Sequence, residues 1–186
     1  MKLLLRGTDI VGLPIVTLGG EDIAEVRDVM FDANAGHVLG FTLNKRGRFA
    51  GRLKDHLLRQ QIRAVGPHAI IVATEVELSA DAPSAAPAGG NVLADRVMTD
   101  TGIQVGTVTD VVVDTGDGSV VGYEVVPADE PDQRRGRRSY LPLPETGAVS
   151  GEAIIVPASA VDYVATDLAG FGEAVDRYRD LLRGAS

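Results

Sequence analysis

The chain has no cysteine. That excludes disulfides, a thiolate nucleophile and any cysteine-based metal site. Tryptophan is also missing, and aromatic residues make up only 4% of the 186 positions. A packed core must therefore be built from valine, isoleucine, leucine and alanine. The three histidines, His37, His56 and His68, lie far apart and form no metal-ligand motif. No apolar run approaches the roughly 18 residues of a membrane span. The opening Met1-Lys2-Leu3-Leu4-Leu5-Arg6 holds an apolar run of three residues, where a secretion signal needs about 7–15. A soluble, cytoplasmic protein is the expectation.

What is present suffices for a fold. Hydrophobic residues make up 45% of the chain, enough to bury a core. The net charge of −8 is unevenly placed: residues 1–80 carry ten basic and nine acidic side chains, and residues 81–186 carry eight and seventeen. The acidic second half is poorly suited to a phosphate backbone.

The chain repeats itself. Residues 23–43 read IAEVRDVMFDANAGHVLGFTL and residues 105–125 read VGTVTDVVVDTGDGSVVGYEV. At an offset of 82, Val26 meets Val108, Asp28 meets Asp110, Asp32 meets Asp114, Gly36 meets Gly118, Gly40 meets Gly122 and Phe41 meets Tyr123. Further on, AIIV at 69–72 matches AIIV at 153–156 with the offset grown to 84. Two tandem units are implied. Residues 1–78 form the first unit and residues 91–166 the second. Between them, residues 79–90 are small, polar or Pro/Gly and are expected to be a flexible linker.

Each unit reads as short strands punctuated by turns. Val105–Asp114 is rich in β-branched residues and predicts a strand. Thr115-Gly116-Asp117-Gly118 supplies a tight hairpin, and Val120–Val126 returns. Asp114–Ser119 faintly echoes a calcium loop but lacks the regular oxygen ligands and the distal Glu. Two segments read as helical. Leu53, Leu57, Leu58 and Ile62 share a face over residues 52–63. Leu168, Phe171, Val175, Tyr178 and Leu182 form an amphipathic stripe in a C-terminal helix over 167–183. That helix packs on its own unit or pairs with a second copy.

These residues resemble the PRC-barrel family, a module named for the cytoplasmic domain of the photosynthetic reaction-centre H subunit and shared with the C-terminal domain of the ribosome maturation factor. The resemblance rests on Asp9–Val16, Val26-Arg27-Asp28-Val29 and Gly40-Phe41 in the first copy. In the second it rests on Val97–Gly102, Gly106–Val111 and Gly122-Tyr123. The first copy departs at Ala24, where the pattern has Gly. The resemblance implies an all-β fold of two tandem small β-barrels, with no catalytic site of their own and roles in docking, assembly and protein contacts.

Candidate sites follow. Asp28 and Asp110 are charges flanked by apolar strand positions. The ordinary reading is that each carboxylate accepts backbone N–H bonds at a strand bend; a ligand or partner contact is the alternative. With Gly40 and Gly122 they are taken as structural motif positions. Residues 45–63 carry seven cations, Lys45, Arg46, Arg48, Arg52, Lys54, Arg59 and Arg63, against Asp55 alone. They are either a solvated face or a docking patch for an acidic partner. Arg134, Arg135, Arg137 and Arg138 form a second cluster, bracketed by acids and read as an exposed loop. No catalytic constellation is visible, and no metal or cofactor is expected. The function expected is non-enzymatic binding, docking or assembly with a protein partner, or in a homo-oligomer. A ribosome- or RNA-linked maturation role is the alternative, although nucleic acid is disfavoured by the acidic second half and the scarcity of stacking aromatics. A ligand- or metal-binding enzyme stands third.

Overall fold

The computed structural model describes residues 3–32, 36–47, 51–81, 92–130, 137–143, 148–149 (backbone only) and 153–184. The first part of the chain forms β1 (Leu4–Arg6), a one-turn helix α1 (Gly7–Ile10), β2 (Pro14–Thr17), β3 (Asp22–Asp32), β4 (His37–Asn44), β5 (Arg52–Leu58), a 3-10 turn (Arg59–Gln61), β6 (Ile62–Val65) and β7 (Ile70–Val72). The second forms β8 (Arg96–Thr99), β9 (Gln104–Asp114), β10 (Val120–Pro127), β11 (Ser139–Pro142), β12 (Ala148–Val149), β13 (Ala153–Val156), a 3-10 turn (Ala158–Tyr163) and the C-terminal helix α2 (Leu168–Gly184).

The repeat read from sequence is a repeat of topology. One sheet runs β5-β4-β3-β2-β7-β6 and the other β11-β10-β9-β8-β13-β12. Each joins the first and last of these strands in chain order in parallel, β2 to β7 and β8 to β13. The irregularities repeat as well. The β3–β4 ladder skips Arg27 and Leu39, and the β9–β10 ladder skips Thr109 and Val121, at the same offset of 82. Such bulges bend and twist a strand pair, so both hairpins curl alike.

Two expectations are corrected. First, residues 52–63 are not a helix. They form β5, the 3-10 turn and the start of β6. Leu53 and Leu57 are four apart, which suits a helical face and one face of a strand equally well. Pairing with β4 decides between them, setting Leu57 against Phe41, both fully buried. Second, the sheets are open rather than closed barrels. Among the described residues, no ladder joins β5 to β6 or β11 to β12. Instead, β5 exchanges backbone bonds with Ser79 at His56, and β11 with Ala165 at Tyr140. Three residues link β5 to β6, and such a link spans only about 10 Å, so the first sheet still curls strongly. The linker expected over 79–90 begins with the paired Ser79; from residue 82 it lies outside the described residues.

The halves are not beads on a string. Val38 N–H donates to the Gly118 carbonyl at 2.9 Å, and Val120 N–H donates to the Gly36 carbonyl at 2.7 Å. This exchange is reciprocal at offset 82, so an approximate two-fold axis passes between His37 and Ser119. One hydrophobic cluster runs through both halves, including Ile10, Val38 and Phe41 from the first and Val108, Val113 and Tyr123 from the second. β1 crosses over and extends the second sheet, with Leu4 facing Asp114, Leu5 facing Val113 and Arg6 facing Val112.

The C-terminal stripe packs in cis. Phe171, Ala174 and Val175 cover Val112, Val121 and Tyr140 on the outer face of the second sheet, with the Phe171 and Tyr140 rings 5.7 Å apart. Tyr178 reaches the main core and stacks obliquely on Tyr163 at 5.4 Å. Among the described residues, no helix is long and apolar enough to cross a membrane.

Candidate functional site

Asp28 and Asp110 occupy equivalent bends, one residue past the skipped Arg27 and Thr109. Each carboxylate accepts the N–H of the next residue: Val29 N–H to Asp28 at 2.9 Å and Val111 N–H to Asp110 at 2.8 Å. This is the backbone-bonding role read from the sequence, and it is the same in both copies. Beyond it they diverge. Asp110 is 5% exposed, and its other oxygen accepts the Thr8 N–H at 3.1 Å and the Thr8 hydroxyl. It thereby satisfies the free donors at the start of α1, as a cap does. Asp28 is exposed.

Opposite Asp110 on β10 stands Glu124, 6% exposed. Sequence reading passed over it. The available signal was a lone acid inside the apolar run Val120–Val126. Its carboxylate receives Thr109 Oγ1 at 2.9 Å, Tyr140 Oη at 3.2 Å and Arg6 Nη1 at 3.3 Å, with Arg138 Nε at 3.5 Å. Arg6 also clasps Asp9 through Nη2–Oδ1 at 2.7 Å and Nε–Oδ2 at 2.8 Å. A buried carboxylate is tolerated when it is paired and hydrogen-bonded in this way. The cluster fastens β1, from the first copy, onto the second sheet.

The electrostatics follow the geometry. The hydrogen bonds and charge of Arg6 hold Asp9 below the usual carboxylate range. Burial, reinforced by the Glu124 charge, pushes the Tyr140 phenol up. Burial pushes Tyr123 to about 12. A phenol whose folded pKa is raised favours the protonated state on folding. Its contribution is complete below its ordinary value of about 10 and is lost as pH rises through the folded value. Urea unfolding between pH 8 and pH 12 is therefore expected to show a midpoint falling above about pH 10. Tyr140→Phe should flatten that fall, and an unchanged slope would contradict this account.

The basic segment is dispersed. Lys45 and Arg46 sit at the β4–β5 turn, where Lys45 N–H bonds the Gly51 carbonyl. Arg46 pairs with Asp22. Arg52 and Lys54 are exposed two apart on β5. Arg63 is exposed on β6, at the far side of the sheet order. Arg59 reaches across to the Gly116 carbonyl at 3.3 Å and lies against Gly118, so it serves the contact between the halves. Arg48 lies outside the described residues, as do Arg134 and Arg135. Of the second basic cluster, Arg137 faces Asp129 and Arg138 faces Glu124. Among the described residues, no three His, Asp or Glu side chains gather as metal ligands would.

The family model of the PRC-barrel domain matches the chain twice, over residues 4–76 and 89–163. These two stretches correspond to the two sheets, except that β1 lies in the first stretch and pairs in the second sheet. No curated protein matches the chain.

Proposed function

The chain belongs to the PRC-barrel family, carrying two copies of its domain, and from that premise we propose that it is a non-enzymatic docking or assembly protein for a protein partner. The observation that carries the reading is how the buried acidic side chains are used. Asp110 holds the start of α1, and Glu124 ties β1, β9, β10 and β11 together. Each is committed to joining one copy to the other rather than facing an open cleft. An open groove of about 640 Å³ beside Gln60, Arg63, Glu75 and Glu77 has, among the described residues, no Ser, Thr, Cys or His in its lining to work with these carboxyl groups. Affinity purification of the intact chain from its native host, with identification of co-eluting proteins, tests the proposal. A stoichiometric partner is expected. A chemical turnover that Asp110→Asn abolishes with the fold intact would overturn it.

A second reading, docking on an acidic protein or on RNA, draws on the exposed Lys45, Arg52 and Lys54 around one end of the β4–β5 hairpin. Single exposed charges contribute roughly 0–1 kcal/mol, so only a joint reversal informs. Changing all three to Glu is expected to leave the unfolding free energy within about 0.5 kcal/mol. It should also lower the yield of an acidic partner severalfold. Raising salt should mimic the variant, since such attraction is screened over about 8 Å at physiological ionic strength. Unchanged capture would leave these cations as an ordinary solvated surface.

A further inference from the structure

The β6–β7 ladder ends at a groove. Its last pair sets Ile62 against Val72. Beyond that pair the chain runs back through the 3-10 turn Arg59–Gln61 on one side and forward through residues 73–77 on the other. The two stretches part and leave an open space of about 640 Å³ between them. Gln61 spans them as a strut. Its Oε1 accepts the Leu58 N–H at 2.7 Å, and its Nε2 donates to the Glu77 carbonyl. An amide engaged through both its acceptor and its donor fixes the width of the opening. Ile62, 8% exposed, and the half-buried Val76 give the groove an apolar floor continuous with the common core.

The rim is charged. Arg63 belongs to the β6 side, and Glu75 and Glu77 belong to the other. All three are exposed, and among the described residues none of them enters an ion pair. Two carboxylates against one guanidinium leave the rim net negative. Such a rim repels a phosphate backbone and attracts a cation.

We propose that this groove docks a short extended segment of a partner protein that carries arginine beside an apolar residue. The proposal rests on the docking function above and gives that function a site. The apolar side chain rests on Ile62 and Val76, and the arginines face Glu75 and Glu77. Arginine suits the place better than lysine, because its planar fork bonds a carboxylate through two N–H groups at once. Arg63 sets the direction of the segment, since it repels the basic end and accepts an acidic one.

The probe is a labelled peptide, acetyl-Asp-Gly-Leu-Arg-Arg-amide, titrated against the intact protein by fluorescence anisotropy. The amide resonances of Gln60, Arg63 and Val76 are followed by NMR. Saturable binding is expected, with shifts at these three amides and none at Arg52 or Lys54 on β5. A single exposed ion pair changes affinity by no more than about fivefold, so both carboxylates are reversed together. Glu75→Lys combined with Glu77→Lys should weaken binding by about tenfold or more. Both residues are exposed, so the double variant should keep the urea midpoint of the parent. Lysine in place of both peptide arginines should cost severalfold, and glutamate in their place should cost more. Added salt should weaken the parent complex and leave the residual binding of the double variant little changed.

No binding at millimolar peptide would overturn the proposal. So would equal binding by the glutamate peptide or by the double variant, or shifts confined to the β4–β5 hairpin. An oligoribonucleotide that shifts the same three amides in place of the peptide would overturn it as well, by making RNA the occupant. A native partner whose capture the double variant leaves intact would remove this site while the docking function stands on another surface. Peptide binding at the groove with no native partner recovered would keep the site and count against the docking function.

Discussion

Gly122→Ala is expected to destabilise the protein by about 3 kcal/mol or more, at the upper end of what overpacking a core costs. A Cβ at this position would fall inside contact distance of both the Leu141 carbonyl and the Phe171 ring. The first clash presses on the backbone of β11 and the second on the helix that covers the sheet. Neither partner can swing aside, because β11 is hydrogen-bonded to β10 and Phe171 is fully buried. In thermal unfolding the loss should appear as a fall of roughly 6–12 °C for a chain of this size. Gly40→Ala makes the equivalent collision with the Leu57 carbonyl but meets no aromatic ring. It should also be destabilising, since the obstacle is again strand backbone and the φ of +159° at Gly40 is one that a residue with a side chain rarely adopts. A Gly122→Ala protein with a midpoint within a degree or two of the parent would show that the strand spacing relaxes freely.

Asp110→Ala and Asp28→Ala should differ sharply, although the sequence presents the two positions as equivalents. Removing the Asp110 carboxylate strands the N–H of Val111, the N–H of Thr8 and the Thr8 hydroxyl. Val111 is buried although Thr8 is exposed, and losing the bonds made by this buried carboxyl group costs about 1–3 kcal/mol. Asp28→Ala removes one local bond, to Val29, at an exposed site. It should cost no more than about 0.5 kcal/mol. Urea midpoints of the two variants check this directly. The Asp110 variant should also loosen β1, read as faster amide exchange at Leu5. Equal midpoints would mean that the cap on α1 contributes little.

How far the sequence can be read shows in particular residues. The hairpins at Asp32–His37 and Asp114–Ser119, the long strands β3 and β9, and the stripe of α2 depend on contacts close along the chain. Their patterns are therefore written locally. The misreading of residues 52–63 has the opposite origin. Leu53 and Leu57 fit two periods at once, and only the distant Phe41 selects the strand. Glu124 was overlooked for a similar reason. Its partners Arg6 and Arg138 lie far from it in the chain, so nothing near it signals that its charge is compensated.

The sequence alone determined the two copies, the 82-residue offset, the family and the strand-rich architecture, because a repeat and a hairpin are properties of neighbouring residues. The tertiary structure decided that the sheets stay open, that Gly36–Val38 and Gly118–Val120 join the copies about a two-fold axis, and that β1 crosses to the second sheet. It also decided that Asp110 is buried while Asp28 stands exposed. Each of these depends on which segment reaches an edge first, a competition between remote pieces of chain that two nearly identical local sequences cannot record.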